Sequence, residues 1–367
     1  MKPVFINGRF LTQPLSGMQR FAQELVTALD ALLGETPGAL AGVQQVEVLV
    51  PPGPCRMPAW QHVRVRQVGR LTGHAWEQLE LAWAARGGVL LNLTSCGPLL
   101  HGQSVLVMHD AAVFMHPEHF SRAYGTWHRA LRPRLARRAA ALGTISEFSR
   151  RELARCCGVH PDAFTVIPDS AEHIVHQEGQ HDALEKFGLT PGAYALTVGN
   201  QSPNKNIALA IAAFEAAAPQ GWTLAVAGGG ADKIFGKTTH HGSSRVRALG
   251  RVSDAELKTL YQHAALFLFP SRYEGFGVPP LEAMSLGCPV LSSDATAMPE
   301  VLGNAAAYFP SDDAQALAAQ IRALAADRDR RQAMSRAGKD QAQRYSWAAG
   351  ARTLATLVQR VAAPAHR

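Results

Sequence analysis

The chain is predicted to fold as an α/β protein built from two Rossmann-like domains, and three observations carry that prediction. Short apolar runs alternate with helical patterns along nearly the whole sequence. The runs are continuous, as in strands buried on both faces of a parallel sheet, and do not alternate with polar residues. Finally, 367 residues are too many for one ordinary core, and the strand–helix units are too many for a single open sheet.

The runs read as strands are Val46-Glu47-Val48-Leu49-Val50, Val105-Leu106-Val107-Met108, Ala195-Leu196-Thr197-Val198, Leu224-Ala225-Val226-Ala227, Leu266-Phe267-Leu268-Phe269 and Val290-Leu291. Between them lie helices such as 17–33, where Phe21, Leu25, Leu29 and Leu32 recur on one face. Pro168, the Gly and Pro residues of 179–192 and a polar run rich in His, Gln and Glu place the domain boundary within 168–192. The expected domains are 1–175 and 176–345. A last amphipathic helix follows within 346–367, marked by Trp347, Ala351, Leu354, Val358 and Val361. The stretch 231–245 reads as a loop.

Composition narrows the function classes. Hydrophobic residues make up 47% and charged residues 18%, a globular balance. The start, Met1 to Gly8, is too short an apolar run for a secretory signal, and no stretch reaches the ~20 apolar residues of a membrane helix. A cytoplasmic protein is expected. Five cysteines without Cys-x-x-Cys spacing argue against a disulfide framework or a zinc site. The formal charge of +7 suits nucleic acid, an anionic membrane or a phosphate-bearing substrate, and its sign alone does not choose.

The richest stretch is Phe269-Pro270-Ser271-Arg272-Tyr273-Glu274-Gly275-Phe276-Gly277-Val278-Pro279-Pro280-Leu281-Glu282-Ala283-Met284. It reads as a strand end, a glycine loop and a helix start, with Pro279 and Pro280 in the first turn and a stop at Gly287-Cys288-Pro289. Backbone N–H groups of Gly275 to Val278 at a helix N-terminus form an anion site. Two carboxylates bracket the loop, Glu274 and Glu282, the latter expected inside the first helical turn. Carboxylates accept hydroxyl pairs, so one suits a hexose and the other a ribose. A crevice at strand carboxyl ends is where ligands bind in such folds.

This run, with the following Ser292-Ser293-Asp294-Ala295-Thr296-Ala297-Met298-Pro299-Glu300-Val301, resembles the Glu-seven-residues-Glu motif of retaining glycosyltransferases of the GT-B fold, in the large glycosyltransferase family 4. The resemblance implies two Rossmann-like domains facing each other across a cleft, with the C-terminal helix crossing back to the first. It implies an acceptor-binding domain at 1–175 and a donor-binding domain at 176–345. By the same resemblance Glu274 contacts the transferred sugar and Glu282 the ribose. In Val198-Gly199-Asn200-Gln201-Ser202-Pro203-Asn204-Lys205-Asn206, Lys205 falls where the family places a phosphate-binding lysine, with Asn200 beside the donor. The family often has an Arg at the position of Asn200 or Asn204, and this chain departs from that. Gly17, in Pro14-Leu15-Ser16-Gly17-Met18-Gln19-Arg20-Phe21, resembles the glycine whose backbone approaches the donor phosphate. His109, in Val107-Met108-His109-Asp110, falls where a histidine often contacts the donor sugar. Base recognition is expected from backbone around Leu249, within Val246 to Gly250. Trp76-Glu77-Gln78, Asn92 to Pro98 and Thr144 to Ser149 resemble the branch of bacterial mannosyl- and rhamnosyltransferases of surface-polysaccharide assembly.

The implied activity is transfer of a hexose or deoxyhexose, with GDP-mannose as the favoured donor, to a glycan or polyprenyl-diphosphate-linked acceptor. His109, Lys205 and Glu274 are the expected catalytic groups, with no cofactor beyond the donor substrate. Asp-x-Asp, the mark of metal-dependent transferases, is not read here, so no metal is expected. A glycosyl phosphorylase and a catalytically silent nucleotide-sugar-binding protein are the alternatives on the same fold. Gly236-Lys237-Thr238 lacks the first glycine of a P-loop, since position 231 is Ala231, and His240-His241 is an unremarkable loop pair. The basic run Arg129, Arg132, Arg134, Arg137 and Arg138, near Tyr124 and Trp127, reads as a solvated helix face or a surface for anionic membrane, with nucleic acid disfavoured.

Overall fold

The computed structural model describes residues 2–36, 38–40, 43–200, 202–229 and 245–363. All of the expected loop except Arg245, and with it Gly236-Lys237-Thr238 and His240-His241, lies outside the described residues. The chain divides into two units, Met1–Asp169 with Ser346–Arg367, and Ser170–Tyr345. The change of unit comes six positions before the expected 175/176. Ser170 is tied to the second unit by its hydroxyl, which donates to the Tyr345 carbonyl at 3.1 Å.

The first unit holds a seven-stranded sheet of β1 (Lys2–Asn7), β2 (Val43–Val50), β3 (Arg64–Gln67), β4 (Val89–Asn92), β5 (Ser104–Met108), β6 (Ala141–Thr144) and β7 (Phe164–Val166), in the order β3-β2-β1-β4-β5-β6-β7. The second holds β8 (Tyr194–Val198), β9 (Thr223–Ala227), β10 (Val246–Gly250), β11 (Leu266–Phe269), β12 (Val290–Ser293) and β13 (Ala307–Phe309), in the order β10-β9-β8-β11-β12-β13. The pairings described in both sheets are parallel. Each sheet therefore reverses its winding once, between β1 and β4 and between β8 and β11. Those reversals open the crevices at the strand carboxyl ends where such sheets take ligands.

Continuous burial explains the continuous apolar strands. The residues of β4, β5, β11 and β12 are buried throughout, because helices cover both faces. The helix Gly17–Glu35 buries Phe21, Leu25, Val26 and Leu29, each worth roughly 1.5–3 kcal/mol on full burial. The closing helix Trp347–Ala362 belongs to the first unit. It buries Trp347, Leu354, Leu357 and Val358, and Trp347 meets Phe21 edge-on at 5.7 Å. Among the described residues no helix is long and apolar enough to cross a membrane.

Candidate active site

In the second unit, two strand–loop–helix segments flank the winding reversal. After β8 the chain makes one 3-10 turn, Pro203–Lys205, and Asn206 takes a left-handed conformation (φ 50°) before the helix Ile207–Ala217. After β11 the loop 270–277 leads into the helix Val278–Ser285. The two loops are tied together: the Arg272 N–H donates to the Asn204 carbonyl at 2.7 Å, and the Asn204 amide donates to the Tyr273 carbonyl at 3.2 Å. Their closure brings together two residues that the sequence places 69 positions apart. The Lys205 ammonium donates to the Glu274 carboxylate at 2.6 Å, with side chains 21% and 14% exposed. A short, partly desolvated pair of this kind fixes both groups. Asn200 is exposed, and its side-chain oxygen accepts the Ser202 N–H at 3.0 Å, a local turn. No arginine stands at 200 or 204, yet one reaches this loop from the end of β11: Arg272 donates to the Pro203 carbonyl at 2.9 Å and pairs with Asp312 at 2.5 Å.

At the helix start, Gly277 is left-handed (φ 96°), and an added Cβ would run into the Met298 side chain. Glycine is thus demanded twice, by backbone and by space. Of the first N–H positions of this helix, Pro279 and Pro280 carry none, so Gly277 and Val278 present the donors. Phe276 is buried and meets Tyr345 edge-on at 5.3 Å, so only its backbone, like that of Gly275, faces the loop chemistry.

Glu282 departs from expectation. It is the fifth residue of its helix, beyond the first turn, and is 7% exposed. His173 Nε2 lies 2.8 Å from one carboxylate oxygen, and the Tyr261 hydroxyl donates to the other at 3.0 Å. Burial and the facing carboxylate push the Tyr261 hydroxyl well above its ordinary pKa, so it stays a donor. A carboxylate has about four lone-pair positions, which leaves about two free for hydroxyls. Leu249 lies in β10, the edge strand, where the register shifts between Ala248 and Gly250, so that Leu249 stands out of the regular ladder with β9.

Gly17 and His109 belong to the first unit. Gly17 opens its helix, and a Cβ there would meet nothing within 4 Å, so nothing in the fold itself requires glycine. His109 follows β5, is 6% exposed, and packs edge-on against Phe21 at 4.7 Å. Its Nε2 lies 2.9 Å from the Leu93 carbonyl, which can only accept, so Nε2 carries the hydrogen and Nδ1 is the acceptor nitrogen. Burial holds its pKa below the ordinary value and keeps the ring neutral.

A second polar cluster, which the motifs did not single out, surrounds the winding reversal of the first sheet. Asn7, at the end of β1, donates to Glu77 at 2.8 Å and to Asn92, at the end of β4, at 3.1 Å. Arg9, His74 and Cys96 each reach the Glu77 carboxylate at 3.2 Å. Burial alone would raise Glu77, but the bonds from His74, Arg9, Asn7 and Cys96 outweigh it and hold the carboxyl below its usual range. His74, Glu77 and Cys96 have a spacing that could hold a metal ion. Burial and Glu77 keep the Cys96 thiol protonated, however, and it already serves as a donor. His128 and Arg132 project inward from the helix Arg122–Arg138 beside this cluster, each 4% exposed. The basic run is therefore not one solvated face: Arg132 points into the unit, while Arg134, Arg137 and Arg138 are exposed. The signal was present, since 128, 131, 132 and 135 share a helical stripe with Leu131 and Leu135.

One further expectation needs correction. The sequence does contain an Asp-x-Asp tripeptide, Asp327-Arg328-Asp329. It is helix-capping chemistry, with the Asp327 carboxylate accepting the Arg330 N–H at 2.8 Å at the start of Arg328–Ala342.

Two units of this winding, with a lysine–glutamate pair and free helix N–H groups at one reversal, define the GT-B class of glycosyltransferase fold. Sucrose-phosphate synthase from Thermosynechococcus elongatus superposes with a TM-score of 0.74 at 20% identity, over 97% of this chain and 98% of that one. The sequence model of the glycosyl transferases group 1 matches residues 181–341. O-antigen chain mannosyltransferase B of Escherichia coli is 31% identical over 255 residues, 67% of each chain. Serotype-specific mannosyltransferase WbdA of Escherichia coli is 31% identical over 231 residues, which are 58% of this chain and 28% of that longer one. The chain belongs to the group 1 glycosyl transferases.

Proposed function

We propose that this glycosyltransferase moves mannose from GDP-mannose, with retention of anomeric configuration and without a metal ion, to a glycan or polyprenyl-diphosphate-linked acceptor in surface-polysaccharide synthesis. The observation that carries the reading is the Lys205–Glu274 pair at 2.6 Å beside the N–H groups of Gly277 and Val278. A donor diphosphate would draw the Lys205 ammonium from Glu274 and release that carboxylate to the hexose hydroxyls. The helix N-terminus would hold the other phosphate oxygens. Glu282, oriented by His173 and Tyr261, offers its remaining lone pairs to the ribose, and the irregular backbone at Leu249 receives the base. Transfer then follows a front-face displacement, in which the departing diphosphate takes the proton of the incoming hydroxyl. The protein contributes position and charge stabilisation. His109, neutral with Nδ1 as its acceptor nitrogen, and the unobstructed backbone at Gly17 are the first unit's candidates for donor contact. Mannose is favoured because the two Escherichia coli relatives are mannosyltransferases by name.

Thermal unfolding with GDP, UDP, dTDP and ADP tests the reading. A ligand at 100 times its Kd adds about 2.7 kcal/mol. GDP is expected to raise the midpoint most, and Glu282→Ala to remove more than half of that shift. Turnover should persist in chelator, and NMR of the product should show the donor's α configuration. The engagement of both Glu282 oxygens by His173 and Tyr261 favours one other reading, a phosphorylase with no ribose to bind. Stabilisation by phosphate and by none of the nucleotides would select it.

The proposal includes peripheral binding at the inner face of the plasma membrane, through Arg134, Arg137 and Arg138. At roughly 1 kcal/mol per arginine near an anionic surface, replacing all three with Glu should weaken co-sedimentation with phosphatidylglycerol liposomes about 100-fold. Unchanged sedimentation would remove the membrane from the proposal.

A further inference from the structure

The polar cluster of the first unit is incomplete as it stands. Among the described residues, both ring nitrogens of His128 are buried without a hydrogen-bond partner, as is Arg132 Nε. The only hydrogen bond described for the Arg132 guanidinium is to a backbone oxygen, the Asp110 carbonyl at 3.1 Å, and among the described residues it has no ion pair. A buried cation without a counter-charge, beside two unmet ring nitrogens, is costly unless a ligand supplies what is missing. The charges nearby do not cancel it. Glu77 is already committed to Asn7, Arg9, His74 and Cys96, and Asp110 turns its carboxylate to the Ala112 N–H at 2.8 Å.

The cluster is also reachable. The His74 ring lies 5.7 Å from that of His128, with the His74 side chain 36% exposed. Tyr124 meets His128 at 4.1 Å and Trp127 meets His74 at 5.8 Å, and both aromatic residues are exposed. Cationic and imidazole donors thus sit at the bottom, with an apolar aromatic rim above. All of it lies at the carboxyl ends of β1, β4 and β5, where a doubly wound sheet takes ligands.

We propose that Arg132 and His128, with His74 and Arg9 at the edge, bind a phosphate or diphosphate group of the acceptor, and that Tyr124 and Trp127 receive the group esterified to it. Arg132 supplies the fixed charge, His128 supplies a ring N–H to an oxyanion, and the aromatic rim suits a prenyl chain or a sugar ring. The inference rests on the transferase reading for the word acceptor, and on the cluster alone for the anion.

The experiment uses the full chain with Lys205→Met, so that the donor side holds a diphosphate more weakly. Inorganic pyrophosphate and, separately, farnesyl diphosphate below its micellar concentration are titrated by calorimetry. The ring nitrogens of isotope-labelled histidines are followed by NMR at pH 7. Pyrophosphate is expected to bind and to shift the His128 ring signals, and Arg132→Gln should weaken binding at least tenfold. His128→Phe keeps the ring volume and should weaken it as well, which guards against a folding defect in the arginine variant. Farnesyl diphosphate binding at least tenfold more tightly than pyrophosphate would identify a lipid-linked group, and equal binding a soluble phosphate ester. Pyrophosphate binding abolished by Lys205→Met alone, with His128 unmoved, would overturn the proposal. GDP binding measured on His128→Phe without the lysine change reports separately on the transferase reading, and its failure would leave the anion site standing.

Discussion

Lys205→Met is expected to lower kcat about 1,000-fold with little change in the fold. The substitution keeps the stem and removes the charge proposed to meet the departing diphosphate. Losing one such stabilising group from a pre-organised site costs on the order of 100- to 1,000-fold in kcat. The pairing with Glu274 at 2.6 Å adds a second expectation. The donor complex is proposed to part the two groups, so Glu274→Gln should cost about as much on top of Lys205→Met as it does alone, and a much smaller cost would mean that the pair acts as a unit in the reaction. Steady-state rates with GDP-mannose and acceptor on the two single variants and the double variant decide this. A kcat within tenfold of the parent for Lys205→Met would remove the lysine from the mechanism.

The second large effect is on stability. Glu77→Ala should destabilise the first unit by about 3–5 kcal/mol, the usual cost of stranding the partners of a buried charge. Glu77 is 1% exposed and collects Asn7, Arg9, His74 and Cys96. Removing it leaves the Arg9 cation without its ion pair and the Asn7 amide with only Asn92. For a unit of this size, about 2–4 °C per kcal/mol predicts a fall of roughly 10 °C in the Tm of the corresponding calorimetric transition. Glu77→Gln retains the shape and part of the bonding and should lose less than half as much. A change under 2 °C for Glu77→Ala would mean that water replaces the carboxylate without cost.

Much of the site's framework is legible in the amino-acid sequence. The strand end at Phe269, the helix start at Val278 and the stop at Gly287 follow from apolar runs, prolines and glycines, which act over a few residues. Glu274 and the lysine loop are legible for the same reason, since glycine and proline chemistry at a strand–helix turn is local. The placement of Glu282 within its helix is missed by a residue, because the start of the helix sets that count. His128 and Arg132 are missed when a run of arginines is read by its charge; their helical phase with Leu131 and Leu135 puts them inside.

Other features have no local signature. Nothing near Glu282 names His173, 109 positions away, or shows that His173 and Tyr261 orient it. Nothing near Asn7 names Glu77 or Asn92. The Asn7 pairings arise because β1 and β4, distant in sequence, become neighbours at a winding reversal, whereas Glu282, Tyr261 and His173 meet because three helices distant in sequence pack on one another. The sequence by itself determined the α/β alternation, the two-unit division and the glycine loop with its two glutamates, because each rests on periodicity or turn chemistry within a short window. Only the tertiary structure decided which charges are paired, which histidine is neutral and which arginine stands buried without a counter-ion among the described residues, because desolvation and partner choice depend on residues that the chain brings together from far away.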